Sequence, residues 1–516
     1  MHLPLTTLAA ALVFAGAVPA QLAGIYTINP VLPASGSNFV SLSAATSALA
    51  SQGVAGPVTM LVYDDAGPYT EATPFATSNV VYNPSTAVLV FTSWTGASST
   101  NRITFRPAPG EAPVLDAVGQ TMGVFWGGAD YVTMYGFEIK NALVDGITLY
   151  AEASHGVPLD PIVDSCRIHD CGAGGVTIYG NTPNPTNTIV QNCSFWRLQL
   201  TNAGGFSPSA GFGYITTRRT TGTRIVHNTF FVDTGAGSNF CVFGANASSV
   251  TEVPYAEISN NVVFKTASAG KPIFRILTPT GSSFPLPVLC DSNCFFDATG
   301  GPFAIWGASG ASTAVTLADW QLNAIRDLLS FEADPVFLDA AARNFHLQAT
   351  SPCIGASLVA AGVTEDADGQ PRVGALDLGS DEFSDATLTS VGVGCPGTAA
   401  LVPLMTSHTW PFLGNPSLDL YVAQMPPGTL TFLFGSLGLG APVPFGGGCT
   451  IYLDLGSFVG LAAAQAGPAG TASFVFPVPN NAAFVGFEIG YQSLVLDAGA
   501  PLGLTLTNAL DIVFAF

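Results

Sequence analysis

Charge is what this chain has least of. Only 9% of its 516 residues are charged, and Lys plus Arg number 14 against 34 Asp plus Glu, a formal net charge of −20. Phosphate binding needs clustered cations, so no nucleic-acid partner is expected. Long-range attraction of any polyanion is also disfavoured unless a divalent metal bridges the two. Helix-favouring Lys and Glu are scarce, while 57 Gly and many Ala, Thr, Ser and Asn point to an all-β chain rich in turns. No CxxC pair and no Cys/His spacing of a zinc site occurs among nine cysteines, which sets metal–thiolate chemistry aside. No G-x-S-x-G elbow is present either. Nine is odd, so at least one thiol stays free or pairs with another chain.

Long apolar runs are also missing beyond the N-terminus. The opening "MHLPLTTLAAALVFAGAVPAQ" holds an apolar stretch from Leu8 to Val18, followed by Val18-Pro19-Ala20 with small residues at the −3 and −1 positions. That is the form of a secretory signal peptide cleaved near Ala20, although its n-region lacks Lys or Arg. It falls short of the roughly 20 residues of a membrane anchor, and Gly, Pro and Asn break the later apolar stretches. The expectation is residues 1–20 as signal peptide, no transmembrane span, and a mature protein from Gln21 that is secreted, extracellular or held at the cell surface.

What is present is a repeat. "VDSCRIHD" from Val163, "VQNCSFWR" from Val190, "VHNTFFVD" from Val226, "ISNNVVFK" from Ile258 and "CDSNCFFD" from Cys290 share one pattern. Aligned on a small polar residue they give Gly136, Ser165, Asn192, Asn228, Asn261 and Asn293, spaced by 29, 27, 36, 33 and 32 residues. Three residues on lie Ile139, Ile168, Phe195, Phe231, Phe264 and Phe296. Such a period marks a solenoid, and units rich in Val, Ile, Phe and Thr and broken by Gly, Asn and Pro are turns of stacked strands. Each coil buries its hydrophobes only against the coils above and below. An inward Asn at the tight bend can satisfy exposed amides and bond the Asn of the next coil, so the frame predicts a ladder with the phenylalanines stacked in the core beside it. Uneven spacing, such as the insert "AGGFSPSAGFGYITTRRTTG", maps to loops on one side.

With these residues the chain resembles a right-handed parallel β-helix of the pectin-lyase-like superfamily, of the secreted bacterial type. "NFVSLSAATSALASQGVAGPVTMLVYDDAGPYTE" is similar to that family's start: a short capping helix, a first strand and a Gly-Pro-Tyr-Thr-Glu turn. "ADPVFLDAAARNFHLQATSPCIGAS" and "EDADGQPRVGALDLGSDEF" resemble the tail that closes such solenoids. The resemblance spans about residues 24–383 and implies a fold that hosts lyases, hydrolases, adhesins and sensors alike. The Asn-Thr-Asp, Asp-Asp, Gly-His-Gly and Arg-Ile-Lys set of polygalacturonases is not in place: Asp64-Asp65 precedes the first coil, and His155 lacks the preceding glycine. The aspartates facing a basic residue of calcium-dependent pectate lyases can be assembled only loosely.

Chemistry must therefore come from the columns beside the core. One reads Lys140, His169, Trp196, Val232, Lys265, Asp297, and the next Asn141, Asp170, Arg197, Asp233, Thr266. Coils lie about 4.8 Å apart, so these columns form a ribbon of acids, bases and one indole. Sugar recognition uses an aromatic face and planar hydrogen-bonding groups, and a lyase needs a base near a cation that neutralises a carboxylate. His169, Asp170, Arg197 and Asp233 are the catalytic candidates, and Lys140, His169, Trp196, Arg197 and Lys265 the ligand-binding ones. Arg218-Arg219, in the long insert, could lean over the same ribbon. Solvated turns and a solubilising Arg pair are the plain alternatives. "EDADGQPR" sets Asp366 and Asp368 before a Gly, as at the start of a calcium loop, though a capping turn with an internal Asp–Arg pair explains it equally well.

After Phe383 the composition shifts to Leu, Gly, Pro and Phe with almost no Lys or Arg. Short alternating segments such as "SLDLYVA", "TLTFLFG", "CTIYLDL" and "ASFVFPV", separated by turn signals, predict a β-sandwich of some seven strands over residues 384–516. Cys395 and Cys449 are the only cysteines there, and a disulfide between them is expected. The expected organisation is a signal peptide, a solenoid over 21–383, and this smaller module. The expected function is binding of polysaccharide or another surface polymer without catalysis. A polysaccharide lyase on uronate polymers, with calcium, is the rival, and a purely structural or adhesive surface protein the third reading.

Overall fold

The computed structural model describes residues 21–76, 85–180, 184–199, 212–234, 240–246, 255–278, 287–308, 310–357, 362–372 and 375–515. Residues 1–20, expected as a signal peptide, and the first part of the long insert lie outside them. Nearly half of the chain is strand, and the parallel strands coil into a β-solenoid of about eight turns. No helix among the described residues is long and apolar enough to cross a membrane.

Three parallel sheets run the length of the coil. The first climbs from Leu22–Ile28 and Val54–Val62 through Ile162–Asp164 to Leu289–Asp291. The second stacks Val114–Asp116, Glu138–Lys140, Arg167–Cys171, Ser194–Leu198, Thr229–Val232, Val262–Lys265, Cys294–Asp297 and Phe331–Glu332. The third holds Met122–Trp126, Asp145–Ala151, Gly174–Gly180, Phe212–Arg218, Phe240–Asn246 and Phe274–Thr278 at its centre. Residues 212–218, expected as loop, are thus a strand of this sheet.

Both ends of the coil are covered. The helix Leu42–Gln52 is capped by Ser41, and the Glu71 carboxylate accepts the amides of Leu42 and Ser43 at 2.7 and 2.9 Å. An anion at a helix N-terminus satisfies free N–H groups and meets the positive end of the dipole. At the far end the helix Leu317–Ala324 lays Trp320 flat on Phe274, ring centroids 5.4 Å apart.

The repeat is real, but its frame slips by one residue between Asn192 and Asn228, so Gly136, Ser165 and Asn192 lie one column before Asn228, Asn261 and Asn293. The inward ladder consists of Cys166, Cys193, Asn228, Asn261 and Asn293: the Asn228 side chain accepts the Cys193 amide, Asn261 that of Asn228, and Asn293 that of Asn261, at 2.9–3.0 Å. Asp327, fully buried, ends the ladder by accepting Asn293 Nδ2 at 2.9 Å. Ser165 and Asn192 instead join His227, Asn260 and Ser292 in the preceding column, where every φ lies between 52° and 58°. That left-handed bend turns the chain from the first sheet into the second, and short polar side chains tolerate it best.

The slip changes which phenylalanines are core. Phe195 pairs with Phe230 and Trp196 with Phe231, and Val263 with Phe295. Side chains alternate along a strand, so Ile139, Ile168, Phe195, Phe230, Val263 and Phe295 point inward and are buried. Phe231, Phe264 and Phe296 point outward, continuing Lys140, His169 and Trp196.

From Thr387 on the strands are antiparallel. A five-stranded sheet, in order Thr387–Val391, Leu504–Val513, Glu488–Leu496, Leu430–Ser436 and Val459–Gln465, shares a core with a three-stranded one of Leu404–Ser407, Leu418–Ala423 and Ala472–Phe476. Met405, Leu420, Leu433 and Leu510 are buried between them. The hairpin Leu439–Gly446/Cys449–Leu453 brings Cys449 to Cys395, and the two are joined in a disulfide with Cα atoms 4.8 Å apart. Ser473 Oγ donates to the Gly110 carbonyl at 3.2 Å, tying this part to an early coil.

Candidate binding cleft on the second sheet

The outer face of the second sheet carries two columns, because residues two apart on a strand share a face. One is Lys140, His169, Trp196, Phe231, Phe264, Phe296; the other is Glu138, Arg167, Ser194, Thr229, Val262, Cys294. The face is therefore polar in the early coils and apolar in the later ones. The apolar end is covered: the hairpin Phe337–Asp339/Asn344–Leu347 and the segment after it pack Phe337, Phe345, Leu347, Cys353 and Leu378 against Trp196, Phe231, Val262 and Cys294.

The cover changes the place of several candidates. Trp196 is only 7% exposed, with His169 stacked on it at 4.2 Å and Phe345 at 5.9 Å, so its ring is engaged within the protein. Lys265 does not lie on the surface ribbon. Its side chain is fully buried, donating to Asp297 Oδ2 at 2.7 Å and to the Lys271 carbonyl at 2.9 Å. Asp233 is held by two partners, accepting the Arg197 amide at 2.9 Å and pairing with Arg343 Nη2 at 2.6 Å. Arg218 belongs to the third sheet, with its guanidinium 5.3 Å from the Tyr179 ring, and Arg219 follows it in a left-handed bend.

His169, Asp170, Arg197 and Lys140 are brought together, around a residue the sequence frame passed over. Glu138 pairs with Lys140 at 2.9 Å, with Arg167 at 3.2 Å and with His169 Nε2 at 3.4 Å. His169 Nδ1 meets Asp170 Oδ2 at 2.6 Å, and Asp170 Oδ1 meets Arg197 Nε at 2.7 Å. The His169 hydrogen bond, joined by Lys140 and Arg167 and opposed by burial, holds the Glu138 carboxyl well below the usual carboxylate range. The result is a chain of polar contacts across three coils, with Arg167 and Arg197 about half exposed.

Beside this network opens a cleft of about 290 Å³, floored by Ser165, Arg167, Asn192 and Ser194 and walled by Arg343, Asn344, His346, Asp368 and Asp381 of the closing segment. Here the acidic turn divides. Both Asp366 oxygens are used, one accepting the amides of Asp368 and Gln370 and the other that of Glu382, which makes Asp366 the pin of the capping turn. Asp368 instead turns to His346 Nε2 at 2.8 Å, and Asp381 Oδ1 lies 3.9 Å from the same nitrogen. His346, Asp368 and Asp381 could hold a metal ion, their donor atoms all lying within 4.8 Å of one another. One imidazole and two carboxylates suit zinc or manganese better than calcium, which prefers oxygens alone. Burial works against the His346 charge, but Asp381 and Asp368 override it and raise its pKa to about 9.

Glu138 and Arg167 carried a readable signal, the period-2 alternation within the repeat. Arg343, His346 and Asp381 carried none, because they reach the sheet through tertiary folding. Asp64, Asp65 and His155 lie away from this cleft; Asp64 accepts the Ala112 amide, and His155 pairs with Glu152.

A family model described as "right handed beta helix region" matches residues 69–230. No curated protein matches the chain in sequence. Among solved structures, pectate lyase Pel9A is 13% identical, with 71% of this chain and 98% of that one covered and a TM-score of 0.34. An alginate lyase from Paenibacillus sp. str. FPU-7 is also 13% identical, covering 52% of this chain and 89% of that one, TM-score 0.31. The enzymatically active domain of tailspike protein 2 from bacteriophage CBA120 is 9% identical, covering 95% and 76%, TM-score 0.19. Likeness at these levels says nothing of activity.

Proposed function

We propose that this is a secreted or surface-attached solenoid protein that binds polysaccharide or another surface polymer, without catalysis, along the polar early coils of the second sheet and into the adjoining cleft. The observation that carries this reading is the saturation of the charged strip. Lys140 and Arg167 pair with Glu138, Arg197 pairs with Asp170, and the His169 imidazole lies between those two carboxylates. A lyase or hydrolase needs a group free to take or give a proton in the substrate's reach, and on this strip both His169 nitrogens already face carboxylates. What the strip offers is planar, half-exposed guanidinium groups at coil spacing, backed by the mostly buried carboxylates of Glu138 and Asp170, which suit hydroxyl and carboxyl groups of successive sugars.

The rival reading, a polysaccharide lyase on uronate polymers assisted by calcium or another divalent ion, draws on one arrangement: His346, Asp368 and Asp381 stand across the cleft from Arg167. A glycan panel on the chain from Gln21, with and without calcium, separates the two. Binding weakened in Arg167→Ala and Arg197→Ala with no new ultraviolet absorbance and no reducing ends supports recognition. Product formation lost in Asp368→Asn assigns the lyase, and silence in both leaves a structural or adhesive surface protein.

A further inference from the structure

The closing segment is held over the second sheet by packing, and one contact in that packing has a chemistry of its own. Cys294 stands in the outer column that begins with Glu138 and Arg167, so its side chain leaves the coil and faces the cover. Cys353 belongs to the cover, and it packs with Cys294 in one buried cluster, the two thiols close enough to influence each other. Both are fully buried, in a cluster with Phe337, Leu347 and Leu378. Neither is bonded to another cysteine in this structure. The other stacked pair, Cys166 and Cys193, sits in the inward ladder, where a bond would only join coils already adjacent.

We infer that Cys294 and Cys353 form a second disulfide, which latches the closing segment onto the outer face of the coil and keeps the aromatic column from Trp196 to Phe264 covered. The chemistry is the one that joins Cys395 to Cys449, namely exchange with a disulfide oxidant such as oxidised glutathione or a disulfide-carrying oxidase. One thiolate attacks the oxidant, forming a mixed disulfide and releasing one thiol. The second cysteine attacks that mixed disulfide and releases the other thiol. Two protein thiols thus become one disulfide, while one oxidant disulfide becomes two thiols. The neighbouring thiol and burial push the Cys294 thiol up once the cover is docked. Exchange therefore belongs to folding, before closure, and the finished bond is shielded afterwards.

The bond would close a loop of 59 residues, long enough for a large effect on the unlatched chain. The test is peptide mapping of the full chain, made under oxidising conditions and alkylated without reduction, in preparations where Cys395–Cys449 is bonded. Trypsin places Cys294, with Cys290, in residues 276–326 and Cys353 in residues 344–372. The expected result is these two peptides linked, the link persisting in Cys290→Ser and absent in Cys353→Ser. A second readout is proteolysis within the closing segment, expected at least about tenfold faster in Cys353→Ser than in Cys290→Ser. Alkylated Cys294 and Cys353 alongside an intact Cys395–Cys449 bond would overturn the proposal, as would equal proteolysis of the two variants.

Discussion

Asn261→Ala tests the ladder that holds the coils in register. The Asn261 side chain is fully buried and makes five bonds. Its oxygen accepts the Asn228 amide at 3.0 Å and Asn228 Nδ2 at 3.1 Å. Its nitrogen donates to the carbonyls of Ile225 and Ser259, each at 2.9 Å, and to Asn293 Oδ1 at 3.0 Å. Truncation leaves a buried amide and two buried carbonyls short of a partner. A buried polar group left unsatisfied costs about 1–3 kcal/mol, and sheet bonds on the carbonyls and local relaxation bring the sum to about 3–6 kcal/mol. Asn141→Ala is the control: its half-buried side chain loses one bond, to Asp116 at 2.9 Å, and its φ of 62° strains an alanine, together worth about 1–2 kcal/mol. Urea unfolding followed by circular dichroism measures both, and hydrogen exchange should show the loss centred on the coils of Asn228 and Asn293. A cost below about 1 kcal/mol for Asn261→Ala, or parity with Asn141→Ala, would refute the ladder as the element that fixes coil register.

Three further outcomes are expected. Trp196→Ala removes a buried ring that His169 and Phe345 pack against, so it should cost about 3–5 kcal/mol and loosen the closing segment, seen as a lower Tm and faster proteolysis there. Arg197→Ala removes a half-exposed ion pair, so stability should change by less than about 1 kcal/mol while polymer binding falls. Glu111 is half-buried beside Asp64, Asp65, Tyr63 and Tyr421; burial, then Asp64, raises its pKa from 4.5 to about 9. Its folded pKa exceeds the unfolded one, so its contribution is complete below about 4.5 and is lost as pH rises through about 9. Thermal unfolding across that range should show Tm falling with pH, with a shallower slope in Glu111→Gln.

The sequence makes the solenoid legible and hides its register. A period near thirty residues identifies stacked coils, because each must bury its own hydrophobes on the next. The alignment slipped where Cys166 and Cys193 fill ladder positions that Asn228, Asn261 and Asn293 fill later. A small apolar thiol and a polar amide occupy the same space but look unlike in sequence. The doubled aromatics Phe230-Phe231 and Phe295-Phe296 concealed the error, since either member fits a core position by type. The repeat pattern therefore points to Val232 and Lys265 for the outer column, where the structure has Phe231 and Phe264. The capping helix and the Cys395–Cys449 pair rest on local signals and were readable. The cover was not: Phe345 reaches Trp196 and Arg343 reaches Asp233 across more than a hundred residues, and no local pattern records such contacts. His346 shows the same limit, because its partners Asp368 and Asp381 come from a turn whose spacing drew attention to Asp366 instead.

The central claim is recognition of a polymer by a saturated charged strip. Its most direct test is a binding titration of the chain from Gln21 against the best ligand of a glycan panel, with product formation followed in the same samples. The account predicts saturable binding, weakened at least about tenfold in the Arg167→Ala/Arg197→Ala double variant whose Tm is nearly unchanged, and no product at any time. Binding indifferent to both substitutions, or steady appearance of an unsaturated product, would contradict it.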